Sequence, residues 1–378
     1  MPDVKILRIA HVTRTPVGGI FRHILDVASG QAARGHHVGI VCDSTTGGAR
    51  ADAALASIAP QMKLGIARFA MQRELGTADF NAFVEVSRHL NSLKADVLHG
   101  HGAKGGAFVR LNSARGAIRV YTPHGGSLHY GPRTLRGMLY GTIERFLSRR
   151  TELFLFESEF ARNAYETMVG APRGTVRVVP NGISPAEMAP VAPNADAANI
   201  VSVGEFRHIK GTDVLIDALG ELHRSDRRLT LAVAGDGEEA PALREQVARL
   251  GLGDSVRFLG HTPARQAFAH GRLLVVPSRA DSLPYVVIEA GGAGIPIIAS
   301  RVGGIPEILG PEGNMVPPQD SARFARAIAA ALDDPAGMRL NADRLRERVR
   351  TMFSQDAMVA GVLAGYGEAI KAKFMHSH

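Results

Sequence analysis

Arg207 and Lys210 stand in VGEFRHIKGTDVLIDAL, where an apolar run ends and a helical pattern opens at Gly211-Thr212. The free N–H groups and the dipole at a helix start favour negative charge. Two cations beside such a start make an anion site, the arginine as a planar fork and the lysine as a point charge. A solvated basic turn is the alternative. The stretch is not a P-loop, because it lacks the Gly-Lys-Ser/Thr end.

Asp281 and Glu289 form the second pair, in SRADSLPYVVIEAGGAGIPIIASRVGGIPEIL from Ser278 to Leu309. Eight residues is a poor helical spacing for two acids meant to lie side by side. It suits a loop carrying Asp281 and Ser282 into a helix carrying Glu289. Pro284 fits the first turn of that helix, where its missing N–H is no loss. The N–H groups of Leu283, Tyr285 and Val286 would then be aimed at a ligand. Glu289, one turn in, can accept two hydrogen bonds from a ribose diol, and Asp281 can accept from sugar hydroxyls. The alternative is a helix-dipole acid and a turn residue. Gly303-Gly304 fits either a close backbone approach to a ligand or a tight turn before Glu307.

The first half offers weaker signals. Gly18-Gly19 lie between a first strand and a first helix, where backbone can approach a phosphate. His124 follows a strand in VYTPHGG, and His99 and His101 end another in DVLHGHG. Three histidines raise the question of a metal. No carboxylate partner is evident nearby, so the expectation is no metal.

These residues need scaffolding, and the chain supplies it. Val/Ile-rich runs alternate with longer helical patterns: VKILRIAHV, HVGIVCD, DVLHGHG, RVYTPHG and ELFLFES as strands, Ile20 to Arg34 and Phe80 to Leu93 among the helices. Such alternation predicts a parallel sheet covered on both faces. The Pro/Ala-rich stretch 185–198 has no apolar period and reads as a linker. The alternation then restarts with NIVSVGEF, LTLAVAGDG, SVRFLGH, RLLVVPS and PIIAS, with helices at Thr212 to His223, at Ala240 to Leu250 and through Glu289. The expected division is 1–184, a linker, 199–354, and a last helix from about 355 ending at Lys371 and Lys373. In doubly wound domains a ligand sits at the carboxyl ends of the strands.

Composition bounds the rest. The 378 residues fit about two domains, and 45% hydrophobic residues without tryptophan mean aliphatic cores. The charge of +8 suits anionic partners. Nucleic acid is not favoured, because arginine without interleaved aromatics is poor material for base stacking. A single Cys42 excludes an intrachain disulfide framework and a cysteine zinc site. With no signal-peptide pattern and no long apolar run, a cytoplasmic location is expected.

In order, the blocks PVGGIFRHILDVASGQAARGHHV, DVLHGHGAKGG, YTPHGG, ESEFARN, VPNGIS, VGEFRHIKG, AGDGEE, RFLGH and VVPSRADSLPYVVIEAGGAGIPIIASRVGGIPEIL span nearly the whole chain. The set resembles the retaining glycosyltransferases of family 4. That resemblance implies an α/β GT-B fold of two facing Rossmann-like domains, with the last helix crossing back to the first and permitting hinge closure. It implies that Arg207 and Lys210 hold the donor pyrophosphate and that Glu289 binds the ribose. Asp281 and the 282–286 backbone would hold the donor sugar. Gly18 and Gly19 would approach the phosphate, and His124 would touch the sugar near the reacting carbon. One departure stands out: the family's Glu-x7-Glu pair is here Asp281-x7-Glu289, one methylene shorter.

The donor would be a nucleotide-diphosphate sugar, with UDP more frequent in the family than GDP, and no cofactor or metal is required. The chain lacks Asp-x-Asp, the metal-holding pattern of the other common glycosyltransferase fold. SLPYVVIEA resembles members of bacterial surface and exopolysaccharide assembly, which implies a lipid-linked or saccharide acceptor. Residues 131–150 carry Arg133, Arg136, Arg145, Arg149 and Arg150 around an apolar stripe of Leu135, Leu139, Ile143 and Phe146. Such a helix can lie on an anionic membrane or be an ordinary core-facing helix with solvated arginines. A non-catalytic nucleotide-sugar binder and a sugar-nucleotide 2-epimerase are the other readings of the same blocks.

Overall fold

A computed structural model describes residues 5–72, 78–114, 116–125 and 134–375. The chain divides into two compact units, Met1–Asn181 with Gln355–His378, and Gly182–Ser354.

The first unit is built on a seven-stranded, all-parallel sheet of order β3-β2-β1-β4-β5-β6-β7. Its strands are β1 (Arg8–Thr13), β2 (His37–Asp43), β3 (Gly65–Phe69), β4 (Val97–His101), β5 (Ile118–Thr122), β6 (Leu153–Phe156) and β7 (Thr175–Val178). The helices between them are α1 (Gly18–Ala33), α2 (Gly48–Ile58), α3 (Ala78–Ser92), α4 (Gly102–Leu111), α5 (Leu135–Ser148) and α6 (Glu159–Val169). Strands buried on both faces read as continuous apolar runs. β2 and β6 are of this kind, which is why HVGIVCD and ELFLFES were legible. The strand order reverses between β1 and β4, so their carboxyl ends open a crevice at the switch point.

The second unit repeats the plan with six parallel strands in the order β10-β9-β8-β11-β12-β13. These are β8 (Ala198–Val203), β9 (Leu231–Ala234), β10 (Val256–Gly260), β11 (Gly271–Val276), β12 (Ile297–Ser300) and β13 (Met315–Val316). The helices are α7 (Thr212–Arg224), α8 (Ala240–Arg249), α9 (Ala264–Phe268), α10 (Tyr285–Gly292), α11 (Ile305–Leu309), α12 (Ser321–Asp333) and α13 (Pro335–Met352). Here the order reverses between β8 and β11.

α14 (Gln355–Met375) belongs to the first unit and packs against α1, β5, β6 and β7. Gly30 of α1 faces Val359 so closely that a Cβ there would lie 2.5 Å from a valine methyl. Lys373 donates to Glu152 at 3.0 Å and to the Ala117 carbonyl at 2.6 Å, fixing the helix end.

The stretch read as a linker is part of the second unit. Val191 N–H donates to Ala293 O at 3.1 Å and Asn194 N–H to Ala269 O at 2.8 Å, while Met188 and Val191 pack on the unit's core. Arg265 caps the carbonyls of Glu187 and Ala189, both at 2.8 Å. Proline removes N–H donors but leaves carbonyls, and an arginine fork satisfies those without regular structure. That anchoring has no periodic signature in the sequence.

Candidate active site

In the second unit the crevice between β8 and β11 brings together two of the expected charges, Lys210 and Asp281. After β8 the chain makes a tight 3₁₀ turn, His208–Lys210, which ends in a left-handed Gly211 (φ 67°) that starts α7. After β11 comes the loop Pro277–Pro284, and α10 follows. Lys210 Nζ lies 2.8 Å from Asp281 Oδ2 and 3.1 Å from Oδ1, and Ser278 Oγ donates to Oδ2 at 3.0 Å. Both charged side chains are largely shielded from solvent. Gly204, Phe206, Thr212, Pro277 and Val286 line a small cavity with this pair. A roomier cavity of about 190 Å³ lies at the amino ends of β12 and β13 and includes none of the expected site residues.

Two contacts hold the turn and the loop together. Arg279 grips Asp213 with two bonds, 2.8 and 2.6 Å, and donates to His208 O at 2.7 Å. Its backbone N–H donates to Ile209 O at 2.8 Å. Arg279 was not singled out from sequence. Its signal was a cation two residues before Asp281, with an acid opening the helix after Lys210.

The other expected residues divide. Arg207 is half exposed and stands 3.6 Å from Glu205, apart from the Lys210–Asp281 pair. Glu289 is buried within α10, as expected of an acid one turn in. Pro284 is the N-cap of α10 rather than a first-turn residue, and Ser282 is half buried before it. Leu283 and Tyr285 turn their side chains into the second unit's core, while Val286 is partly buried. Tyr285 therefore faces the packed core of the second unit. The Gly303-Gly304 stretch is the tight turn of the second alternative, closed by Ile305 N–H donating to Val302 O at 3.1 Å just before α11. It packs against the Asp281 loop: Gly304 N–H donates to Ser282 O at 2.7 Å, and a Cβ on Gly303 (φ 57°) would sit 1.4 Å from Asp281 O. The glycines are needed by the carboxylate's own loop.

In the first unit, Gly18 and Gly19 open α1 exposed, Gly18 with φ 66°. His124, half buried after β5, also has a left-handed backbone (φ 53°). That conformation is uncommon for a residue with a Cβ and recurs at functional positions.

Around His124 lies a group that sequence reading did not assemble. β1 and β4 pair with His11 opposite His99 and Thr13 opposite His101. The two-residue strand period puts His11, His99 and His101 on one face, under α1 and α14. A continuous row results: Gln31 Oε1 to His11 Nε2 at 2.8 Å, His11 Nδ1 to His101 Nε2 at 2.9 Å, and His101 Nδ1 to His124 Nε2 at 3.0 Å. A branch joins Gln31 Nε2 to Tyr366 OH at 3.4 Å, then Tyr366 OH to His99 Nδ1 and His99 Nε2 to Thr122 Oγ1, both at 2.8 Å. His23 meets Asn181 at 3.0 Å and stands edge-on to His124. Burial lowers the pKa of His11 and of His23 to about 4 and holds His99, His101 and His124 well below the usual histidine value. His11–His99–His101 and His23–His101–His124 each bring three ring nitrogens within 4.8 Å of one another, so the donor set could in principle hold a borderline cation. His11, Gln31 and Tyr366 were missed because they lie far apart in sequence and look like ordinary strand and helix positions.

Residues 17–187 match the family model for Glycosyltransferase Family 4, and residues 197–334 match that for glycosyl transferases group 1. The chain belongs to glycosyltransferase family 4. A glycogen synthase of Mycobacterium tuberculosis is 26% identical to this glycosyltransferase over 93% of its chain and 91% of the relative's. A D-inositol 3-phosphate glycosyltransferase of Catenulispora acidiphila is 33% identical over 47% of this chain and 45% of its own. Among solved structures, the sucrose-phosphate synthase of Thermosynechococcus elongatus superposes with a TM-score of 0.80 at 22% identity, covering 97% of this chain and 100% of that one. Anabaena HepE in complex with UDP-glucose gives 0.79 at 20% identity, covering 95% and 99%. The fold is GT-B, two Rossmann-like α/β domains.

Proposed function

We propose that this glycosyltransferase moves a sugar, with retention of configuration, from a nucleotide-diphosphate sugar to a saccharide or lipid-linked acceptor of bacterial surface or exopolysaccharide assembly. The observation that carries the donor reading is the Lys210 ammonium held at the switch point of the second sheet, between the Asp281 loop and the start of α7. UDP is the favoured nucleotide, in keeping with the UDP-glucose bound by HepE.

The chemistry follows from charge. Breaking the sugar–phosphate bond loads negative charge on the diphosphate and positive charge on the anomeric carbon. Lys210, with Arg207 swinging in from the solvent side, stabilises the leaving group. A preorganised donor of this kind is worth about two to three orders of magnitude in rate. The acceptor oxygen attacks the face from which phosphate departs, and its proton passes to a phosphate oxygen. Glu289 takes the ribose diol, Asp281 and the 282–286 backbone take the sugar, Gly18 and Gly19 approach the phosphate, and His124 touches the sugar near the reacting carbon. The chemistry as drawn calls for no cofactor or metal.

Support for an acceptor at a membrane comes from α5. Its exposed face is Met138, Leu139 and Phe146 with Arg145 and Arg149, while Gly137, Gly141, Glu144 and Leu147 face the protein. Of the apolar stripe, Leu139 and Phe146 are exposed and Ile143 is half buried, which supports the membrane reading over the core-facing one. Arg133 and the side chains of Leu135 and Arg136 lie outside the described residues. Among the described residues no helix is long and apolar enough to cross a membrane, so the proposed association is peripheral, on the cytoplasmic face.

A thermal-shift panel of UDP, GDP and their sugars tests the donor, because a ligand at 100 times its Kd adds about 2.7 kcal/mol of apparent stability. No response to any of them removes the proposal. Release of nucleotide diphosphate only with acceptor present separates a transferase from a passive binder.

A further inference from the structure

We propose that Gln31, acting through His11 and His101, fixes His124 as the Nε2–H tautomer and so presents its Nδ1 as a hydrogen-bond acceptor for a substrate hydroxyl. The role toward substrate rests on the function proposed above; the tautomer itself does not.

The derivation needs only proton counting. The rings of His11 and His101 are fully buried, and among the described residues no carboxylate bonds to them. Each is therefore neutral and carries one N–H. Gln31 turns its carbonyl to His11 and its amide N–H toward Tyr366 OH. A carbonyl only accepts, so His11 must donate from Nε2, and its Nδ1 is left as a lone pair. His101 must then donate from Nε2 to His11, which makes His101 Nδ1 an acceptor. His124 must donate from Nε2 to His101, which leaves His124 Nδ1 with the lone pair.

The branch is consistent with this polarity. Tyr366 OH accepts from Gln31 and donates to His99 Nδ1, and His99 donates from Nε2 to Thr122. One choice of protons satisfies every ring nitrogen along both rows except His124 Nδ1, the lone pair at the end. The anchor sits three hydrogen bonds from the residue it sets, on α1, and reaches it through two strands that pair in register.

Gln31, His11 and His101 are in this sense positioning residues. An acceptor nitrogen at His124 discriminates in favour of a hydroxyl that can donate, and the unusual backbone of His124 holds the ring at the end of the row. A freely exchanging imidazole would present a donor part of the time.

The test uses the full chain labelled with ¹⁵N in histidine, without donor, near neutral pH. His124 is assigned by comparison with His124→Asn. The expected spectrum shows His124 Nδ1 in the pyridine-like position and Nε2 in the pyrrole-like position. Gln31→Met is expected to move both toward their average while the other signals of the folded protein persist. A wild-type His124 carrying its proton on Nδ1, or averaging between both, overturns the proposal, even if Gln31→Met does not fold. An unmoved His124 in a folded Gln31→Met does the same. Stoichiometric zinc that shifts His11, His99 and His101 together would replace the relay with a metal site. Loss of the donor reading alone, with no nucleotide sugar bound, leaves these spectra unchanged.

Discussion

Lys210 and Asp281 lie seventy-one positions apart in sequence and meet at 2.8 Å across the switch point of the second sheet. The cation expected to hold phosphate and the acid expected to hold sugar are each other's partner. The pair keeps the ammonium at the crevice, and it keeps the shorter Asp281 from pointing elsewhere.

Lys210→Ala is expected to lower kcat by about two to three orders of magnitude while the chain stays folded. The variant leaves Asp281 with Ser278 as its bonded partner, so a loss of about 1–3 kcal/mol is expected as well. Steady-state turnover and a melting curve on the same preparation check both. Near-normal turnover would remove the diphosphate role.

Gly303→Ala touches no substrate in the proposed scheme, yet it should weaken donor binding. A methyl there meets the Asp281 carbonyl at 1.4 Å, and φ 57° is strained for alanine. The Asp281 loop must move. The Kd for UDP-sugar is expected to rise together with a fall in Tm, whereas Gly253→Ala, where a Cβ meets nothing within 4 Å, should leave Kd unchanged.

The sequence was most readable where burial is uniform. β2 was anticipated residue for residue, as was the start of α7, because Val/Ile runs and a glycine before a helix are local signals. α4 was not anticipated: GAKGG looks like a loop. Its glycines are there because a Cβ on Gly105 would lie 2.4 Å from Val12 O, so the helix exists by tertiary approach rather than propensity. β3 and β7, half-buried edge strands, also gave little pattern. For the site, Lys210, Asp281 and Glu289 were legible as residue types beside helix starts. The burial of Tyr285 was not, nor was the histidine row, because both depend on which strands become neighbours.

Arg110 and Glu144 form a buried pair, with bonds of 2.7 and 3.0 Å, and Tyr121 OH donates to the same carboxylate at 3.1 Å. Glu144→Ala is expected to destabilise the first unit by about 3–5 kcal/mol, since it leaves a buried guanidinium uncompensated. Arg110→Met with Glu144→Leu should recover most of that loss. A double-mutant cycle by denaturant unfolding measures the coupling, and additive single effects would contradict it.

Acid should unfold the first unit through its histidines. His11 and His23 titrate near 4 when folded and near 6.5 when unfolded. Their folded pKa is lowered, so the stability they confer is full above 6.5 and is lost as pH falls through 6.5 toward 4. His99, His101 and His124, held low by burial, act in the same direction. Tm is expected to fall across that window, and His23→Gln should flatten the profile. A flat wild-type profile would mean that these rings are charged or solvated in the folded protein.

α5 makes the last prediction, because the apolar and the basic side chains of its exposed face can be altered independently. Leu139→Ser with Phe146→Ser changes only exposed positions, so stability should move by no more than about 0.5 kcal/mol. Binding to vesicles containing anionic lipid should be lost, since apolar insertion and arginine attraction act together on such surfaces. Arg145→Gln with Arg149→Gln should instead weaken binding in a salt-dependent way, the exposed charges being screened over about 10 Å at 0.1 M salt. Arg145 also donates to Val169 O at 2.9 Å, so that variant carries a small stability change which the apolar one does not. Co-sedimentation with neutral and anionic vesicles separates the two contributions. Wild-type protein that stays in the supernatant with both would leave the outward stripe without a membrane role.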